Sequence, residues 1–237
     1  MTSRHAHHER LRVIVTGVTG MVGEGVMHEC LLHPDVDQVL VVNRRPSGTS
    51  HEKLKEIVLD DFYDWTAIET ELEGYNACFF CLGVSSIGKT EEEYRRVTYD
   101  LTMHAGTLLS RLNPDMIFTY VTGSGTDSTE KGRSMWARVK GKTENDLLRL
   151  PFQAAYMFRP GYIHPTKGLR NAHKYYTFMK WLYPLLRTVL PRHVITLRQL
   201  GLAMIGAATV GYDRKVLDSP DIVRLAAGQT TAGGAKS

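Results

Sequence analysis

The chain has 237 residues, of which 43% are hydrophobic and 23% charged, with 3 cysteines and a formal net charge of +4. This composition excludes a wholly disordered chain, and so few cysteines exclude a disulfide-rich scaffold and favour a reducing compartment, so we expect a cytoplasmic location. The mild positive charge does not by itself indicate a nucleic-acid ligand. No apolar run is long enough to predict a transmembrane helix.

The first predicted element is a buried parallel strand, Leu11–Thr16, because its residues are β-branched and almost continuously apolar. A glycine-rich turn follows, and an amphipathic pattern then predicts a helix over residues 24–33, which Pro34 ends. A second buried strand is predicted at residues 38–42. Strand, glycine turn, helix and strand together form a βαβ unit.

The same alternation continues to residue 158. Strands are predicted at residues 56–59, 77–82, 116–121 and 153–158, and helices at residues 67–72, 91–112 and 134–150. Strands that alternate with helices over this length predict an α/β fold with a doubly wound parallel sheet, the Rossmann arrangement.

The rhythm changes after Gly161, and residues 162–228 are predicted to form a small helical C-terminal part with helices at 175–190 and 196–210. We expect one domain over residues 11–228, with disordered tails at 1–10 and 229–237. The basic, apolar stretch at 174–192 resembles a membrane-surface helix, but a lid or oligomer-face helix has the same pattern and is favoured. Stable membrane insertion and nucleic-acid binding are therefore not expected, whereas a homodimer or protein partner would use the C-terminal helices.

The glycine turn has the spacing GxxGxxG and follows a buried strand directly. Gly17 permits a tight turn, Gly20 lets the backbone approach a pyrophosphate, and Gly23 lets the helix pack closely. The start of the helix offers N–H groups and a positive dipole end to phosphates. The residues expected to contact a dinucleotide here are Gly17, Thr19, Gly20, Met21, Val22 and Gly23.

The end of the second strand indicates which dinucleotide would bind. Asn43 stands where an NAD-binding unit carries an Asp or Glu, and Arg44 and Arg45 follow it. Guanidinium groups suit a 2′-phosphate, so NADP(H) is preferred and NAD(H) remains an alternative, unless the arginines are only surface turn residues. Asp60 and Asp61 either accept a bond from the adenine amino group or belong to a solvated loop or helix cap.

Four motifs carry a resemblance to the extended and atypical short-chain dehydrogenase/reductases. They are Thr16-Gly-Val-Thr-Gly-Met-Val-Gly23, Cys81-Leu82-Gly83, Val97-Thr-Tyr-Asp100 with Thr98 in place of Asn, and Arg159-Pro160-Gly161. The branch that the chain resembles most is that of the Tat-interacting oxidoreductases, near the NmrA-like and YbjT-like proteins. The resemblance implies a Rossmann fold and hydride transfer to a carbonyl- or sugar-type substrate. It also implies cofactor contacts at Cys81, Leu82, Gly83, Pro160, Gly161 and Tyr162.

The catalytic YxxxK motif of that family is altered in this chain. Lys140 matches the family lysine that bonds the nicotinamide ribose, but Trp136 replaces the tyrosine. An indole N–H only donates and does not titrate usefully, so Trp136 cannot transfer the proton. The family serine that polarises the substrate is matched best by Ser124, with Thr122 as the second choice.

Three interpretations follow from the missing tyrosine. The protein reduces or isomerises a substrate with another proton donor, such as Tyr162, Tyr120 or water; or it binds NADP(H) as a redox sensor without turnover; or the motif is misaligned. Lys140 itself is either functional or a solvated helix residue, and the nearby Glu144 is interpreted as a surface residue. His164 is a candidate for lining the substrate cleft.

A CxxC pattern at Cys78 and Cys81 is not interpreted as a metal or redox site. Positions i and i+3 of a strand point to opposite faces, so the two thiols are not expected to meet. No histidine spacing predicts a metal site either, and we expect no bound metal.

Overall fold

The computed structural model describes residues 10–171 and 191–233. The strands of this part are β1 (Leu11–Thr16), β2 (Val36–Asn43), β3 (Leu54–Val58), β4 (Ala77–Phe80), β5 (Ile117–Val121), β6 (Ala154–Arg159), β7 (Tyr162–His164), β8 (Val194–Thr196) and β9 (Val216–Asp218). Its helices are α1 (Met21–Leu32), α2 (Glu69–Leu72), α3 (Glu91–Arg95), α4 (Leu101–Leu112), α5 (Met135–Leu147), α6 (Leu197–Thr209) and α7 (Ser219–Gly233). A π-helical turn, Arg96–Asp100, joins α3 to α4.

The main sheet has seven parallel strands in the order β3-β2-β1-β4-β5-β6-β9. The direction of strand progression reverses beside β1, which pairs with β2 through Val13↔Val39 and with β4 through Val13↔Ala77. This confirms the predicted doubly wound α/β fold. The carboxyl ends of β1 and β4 frame the switch point, where such sheets bind ligands.

Alternating residues of the central strands supply two apolar cores, one on each face of the sheet. Val13 and Val15 of β1 pack on the face covered by α1, α6 and α7, whereas Ile14 packs on the face covered by α4. Both faces are buried, which is why the central residues of β1, β2 and β4 form continuous apolar runs instead of alternating with polar residues. The rigid sheet therefore fixes the loops that follow its strands.

The C-terminal part differs from the prediction in several ways. The helix predicted at 196–210 is not the last regular element. Strand β9 follows it and joins the main sheet beside β6, with Phe158 opposite Leu217. Helix α7 follows and continues to Gly233, so the disorder predicted from residue 229 is wrong for residues 229–233. A strand as short as β9 has too few residues to show a periodicity.

Two further features concern the end of the chain. Strands β7 and β8 pair in parallel as a separate small sheet, which the sequence did not predict. The helix predicted at 175–190 lies outside the described residues. Among the described helices, none combines the length and apolar character that crossing a bilayer requires.

Candidate functional site

The glycine turn has a backbone that only glycine fits at two positions. Gly17 has a φ of +73°, and a Cβ atom on it would lie 2.8 Å from the main-chain oxygen of Cys81. A Cβ atom on Gly23 would lie 2.3 Å from the main-chain oxygen of Gly17. The turn after β1 is therefore pressed against both β4 and the first turn of α1, as the spacing predicted.

The start of α1 presents backbone N–H groups that no side chain caps. Gly20 is the N-cap residue and has no side chain to accept a bond, and its own N–H donates to the oxygen of Gly17 at 2.9 Å. The first intrahelical bond is donated by Glu24 to Gly20. The N–H groups of Met21, Val22 and Gly23 are those that an α-helix leaves without an internal acceptor. This cradle fits a phosphate-bearing ligand.

A cavity of about 1400 Å³ opens at this end of the sheet. The predicted cofactor residues that line it are Gly17, Thr19, Gly20, Met21, Val22, Gly23, Asn43, Arg44, Arg45, Asp60, Asp61, Cys81, Leu82, Gly83 and Lys140. Other lining residues, which the sequence did not single out, include Phe62, Tyr63, Val84, Lys89 and Leu101. The cavity runs from the loop after β2, past the glycine turn, to the end of β5.

The ends of β2 and β3 place charged groups at one side of this cavity. Arg44 and Arg45 are exposed, whereas Asn43 is buried and its amide donates to Glu56 at 3.1 Å. The amide of Asn43 therefore already has a protein partner. A carboxylate oxygen of Asp61 accepts the N–H of Tyr63 at 2.9 Å, which matches the alternative of a loop cap for this aspartate.

Lys140 lies at the other side of the cavity, on α5. Its Nζ donates to the main-chain oxygen of Thr122 at 2.7 Å. Burial lowers the pKa of Lys140 to about 8, although the nearby carboxylate of Glu144 opposes this shift. The amine is thus an anchored donor at the cavity wall and not a solvated helix residue.

The interpretation of Glu144 as a surface residue is wrong. Its side chain is 1% exposed, and it accepts bonds from Nε and Nη2 of Arg159 and from the hydroxyl of Thr122 at 2.5 Å. Arg159 also donates to the hydroxyl of Ser128. The sequence signal for this buried pair is weak, because its partners lie on different elements and a charged residue is rarely buried unless paired.

The two predicted hydroxyl groups differ in accessibility. Thr122 lines the cavity, but its hydroxyl is committed to Glu144, which contradicts its choice as the substrate donor. Ser124 is exposed, and its N–H donates to the oxygen of Pro160 at 2.8 Å, but the residue is not part of the cavity wall. Ser124 therefore remains the better-placed hydroxyl, beyond the end of the cavity near Lys140.

Trp136, which the sequence resemblance aligns with the family tyrosine, is half-buried. It stands one helical turn before Lys140, and its Cη2 atom lies 3.5 Å from where a Cβ atom of Gly125 would be. The indole thus covers the loop that carries Ser124. The spacing of four residues puts Trp136 and Lys140 on the same side of α5.

The alternative proton donors are placed less favourably. Tyr120 is buried in the core beside Phe80, and burial raises the pKa of its hydroxyl, so the prediction that it could transfer a proton to a substrate is wrong. Tyr162 and His164 are half-buried on β7 and do not line the cavity.

The RPG segment, Arg159–Gly161, is fixed by contacts with residues of the C-terminal part. Gly161 donates its N–H to the hydroxyl of Ser219 at 3.0 Å, and a Cβ atom on it would lie 2.3 Å from the oxygen of His193. Pro160 and Gly161 lie outside the cavity wall, so their predicted cofactor contacts are not supported by the cavity itself.

The π-helical turn coincides with the VNxD-like motif. It contains Val97, which lines the cavity, and Thr98, which is buried where the family motif has Asn. Such widened turns often occur at functional sites. This turn and the following residue Leu101 therefore contribute to the cavity wall.

The cysteines behave as the strand geometry predicted. Cys78 packs in the core on one face of the sheet, and Cys81 packs against the core on the other face. Both thiols are free, and burial raises the pKa of each. Within the described residues, no group of three or more His, Cys, Asp or Glu side chains is arranged to hold a metal ion.

The fold and the site together define a class of protein. A glycine turn that opens a helix at the switch point of a parallel sheet, with a lysine at the opposite wall, is the arrangement of Rossmann-fold dinucleotide-binding proteins related to extended short-chain dehydrogenase/reductases. The family model described as "NAD dependent epimerase/dehydratase family" matches residues 13–141. The chain belongs to this family.

Several fungal proteins are similar in sequence. "Protein FMP52-2, mitochondrial" of Scheffersomyces stipitis is 29% identical over 150 residues, which cover 62% of this chain and 64% of that protein. "Protein fmp52-1, mitochondrial" of Aspergillus oryzae is 27% identical over 153 residues, which cover 62% and 63%. The match therefore spans less than two thirds of these relatives. Their names contradict the cytoplasmic location expected from the sequence, and that expectation is corrected.

Solved structures share the fold at low identity. The ADP-L-glycero-D-manno-heptose-6-epimerase of Helicobacter pylori has a TM-score of 0.65 and 15% identity, covering 96% of this chain and 84% of that chain. The enzyme WbmF of Bordetella bronchiseptica, solved in complex with NAD+, has a TM-score of 0.65 and 16% identity, covering 98% and 81%. These similarities establish the Rossmann-like architecture.

Proposed function

We propose that this protein binds NADP(H) and acts as an oxidoreductase or epimerase on a small molecule with a carbonyl or sugar-type group. The observation that carries the proposal is one continuous cavity with the uncapped start of α1, the Arg44–Arg45 pair and Lys140 along its wall. When bound, the nicotinamide would supply the hydride chemistry. The choice of branch, near the Tat-interacting oxidoreductases, rests on the sequence motifs.

The preference for NADP(H) over NAD(H) rests on the end of β2. The family is named for NAD, but this chain has no carboxylate at Asn43, whose amide is bonded to Glu56. Exposed guanidinium groups at Arg44 and Arg45 offer charged donors to a 2′-phosphate instead. Two cations beside the 2′-phosphate would favour binding of the phosphorylated cofactor over NAD(H).

The remaining roles follow from position. The ammonium of Lys140, already held by the Thr122 oxygen, would donate to a ribose hydroxyl. The hydroxyl of Ser124, beyond that end of the cavity, would bond the substrate oxygen. Trp136 cannot supply the proton, so a water molecule or a group of the substrate would serve as its source.

A binding experiment tests the cofactor. NADPH and NADH would each be titrated by following their fluorescence, with wild type, Arg44→Ala and Arg45→Ala. Each variant should bind NADPH about tenfold more weakly and leave NADH affinity within about twofold, because a charge-assisted bond is lost. Arg111→Ala serves as a control. Arg111 lies at the end of α4, is exposed, pairs with Glu69 and is absent from the cavity wall. Equal affinity of wild type for both dinucleotides would contradict the preference.

A second candidate function is a redox sensor that binds NADP(H) without turnover. The specific observation in its favour is that Tyr120 is buried in the core, while Trp136 stands where the sequence resemblance places the family tyrosine. In that case a partner protein or a second copy would bind near the C-terminal helices, where Val210 and Val223 are exposed.

Turnover measurements separate the two candidates. NADPH oxidation would be followed with a set of aldehydes, ketones and quinones at saturating cofactor. Oxidation by wild type supports the enzyme, and tight binding with no oxidation by any of them supports the sensor. A strong increase in Trp136→Tyr would show that the site lacks only its proton donor.

A further inference from the structure

A short segment after β7 lies against the phosphate-binding cradle. We call residues 165–171 the strap. The backbone N–H groups of Arg170 and Asn171 each donate to one carboxylate oxygen of Glu24, both at 2.7 Å. Glu24 belongs to the first turn of α1, directly after the last glycine of the turn. The strap is therefore fixed to the element that carries the N–H cradle.

Further contacts bring the strap to the glycine turn and to the loop after β2. The amide of Asn171 donates to the main-chain oxygen of Val18 at 3.4 Å, within the glycine turn itself. The Nη1 atom of Arg170 lies 2.8 Å from where a Cβ atom of Gly48 would be. Gly48 is four residues past Arg44, so the guanidinium of Arg170 reaches the loop that bears the arginine pair.

The three arginines of this region are not held in ion pairs. Across residues 10–171 and 191–233, the guanidinium groups of Arg44, Arg45 and Arg170 form no ion pair within 4.0 Å. The carboxylate of Glu24 is buried and has both its oxygens bonded to the strap. Cations without partners beside a phosphate cradle create a positive potential that an anionic ligand would neutralise.

We infer that Arg170, positioned by the bonds of the strap to Glu24, is a third cation for the 2′-phosphate of the bound dinucleotide. This inference rests on the proposed NADP(H) function. Arg170 contacts the loop of Arg44 and Arg45 from the α1 side, so the phosphate on the adenosine ribose would lie between two segments. Arg170 would thus contribute to the specificity for the phosphorylated dinucleotide.

Titration of three variants tests the inference. Arg170→Ala should bind NADPH about tenfold more weakly and NADH within about twofold of wild type, because one charge-assisted contact is removed. Arg170→Lys, which keeps the charge without the planar fork, should fall between wild type and Arg170→Ala. Lys167→Ala is the matched control, because Lys167 is an exposed cation of the same strap, and it should leave both affinities unchanged.

The outcomes separate the inference from the proposed function. A loss confined to NADPH supports the role of Arg170. An equal loss for NADPH and NADH would place the guanidinium on the shared pyrophosphate and overturn it, as would unchanged binding of both. If wild type bound neither dinucleotide, the proposed function would fail first. Arg170 is exposed, so its truncation should not change the melting temperature, and this is checked beside each titration.

Discussion

The ammonium of Lys140 is bonded to the main-chain oxygen of Thr122 at 2.7 Å, across the gap between α5 and the end of β5. The hydroxyl of the same threonine donates to Glu144, one helical turn after the lysine. A single residue at the end of a strand thus links the cavity-facing amine to a buried carboxylate. This arrangement fixes where the positive charge lies before any ligand binds.

The protonation of Lys140 should control dinucleotide binding. Its pKa is lowered to about 8 by burial, so the amine is charged at pH 7 and neutral above that pKa. A ligand that accepts a bond from the ammonium prefers the charged form. The dissociation constant for NADPH should therefore stay level below pH 8 and rise by up to about tenfold per pH unit above it. Fluorescence titrations from pH 6.5 to 9.5 measure this dependence.

Lys140→Met provides the control for that experiment. Methionine keeps an unbranched side chain but cannot titrate, so binding should be weaker at pH 7 and show no break near pH 8. A wild-type affinity that does not change up to pH 9.5 would rule out a role for the charged amine.

The same lysine should lower stability at neutral pH. Because its pKa falls from 10.5 to about 8 on folding, the unfolded chain binds more protons between these values, and stability from this group rises with pH across that window. Lys140→Met should therefore melt about 2–4 °C higher than wild type at pH 7, if burying the charged amine lowers the free energy of unfolding by on the order of 1 kcal/mol. The difference should narrow as the pH is raised from 8 toward 10. Calorimetry at pH 7 and pH 10 measures it, and a lower melting temperature at pH 7 would contradict the argument.

The elements that the sequence predicted well are those with local signals. Buried parallel strands such as β1 contain apolar runs, and the glycine spacing places the cradle at the start of α1, so most of the cavity wall was predictable. The place of Arg44 and Arg45 in the cavity wall was predictable in the same way, because they directly follow a buried strand. Each of these features depends on residues close together in the chain.

The features that were missed depend on distant partners. Glu144 is buried only because Arg159, from a strand that follows the helix, supplies its counter-charge. Strand β9 has three residues and gains its place by pairing with β6. The strap contacts Glu24 across nearly 150 residues of sequence, and no spacing rule links the two. Tertiary contacts of this kind have no periodic signature.

The buried ion pair gives a prediction about stability. Glu144→Gln should lower the free energy of unfolding by about 3–5 kcal/mol, because it leaves the guanidinium of Arg159, whose side chain is only 15% exposed, without its counter-charge. Glu91→Gln is the control, since Glu91 is 52% exposed in its pair with Arg138. This substitution should lower the free energy of unfolding by about 1 kcal/mol or less. Urea denaturation measures both variants. Similar losses in the two would mean that burial of the Glu144 pair has no energetic weight.

The glycine turn gives a prediction that couples stability to binding. A Cβ atom at position 23 would lie 2.3 Å from the main-chain oxygen of Gly17, a contact that forces the start of α1 away from the turn. Gly23→Ala should therefore destabilise the fold by about 1–3 kcal/mol and weaken NADPH binding at least about tenfold, because the N–H cradle moves. Thermal melts and NADPH titrations measure the two effects, and wild-type affinity in Gly23→Ala would show that phosphates do not bind at this helix start.

Gly228→Ala is the matched control for that substitution. Gly228 is an exposed residue of α7, and a Cβ atom on it would meet no neighbouring atom within 4 Å, so a methyl group fits there without displacing the backbone. Alanine also has the higher helix propensity, so Gly228→Ala should raise the free energy of unfolding by about 0.5–1 kcal/mol and leave NADPH binding unchanged. If both variants lost stability and affinity alike, the loss in Gly23→Ala would reflect a general intolerance of the helices to alanine and not the closeness of Gly23 to Gly17.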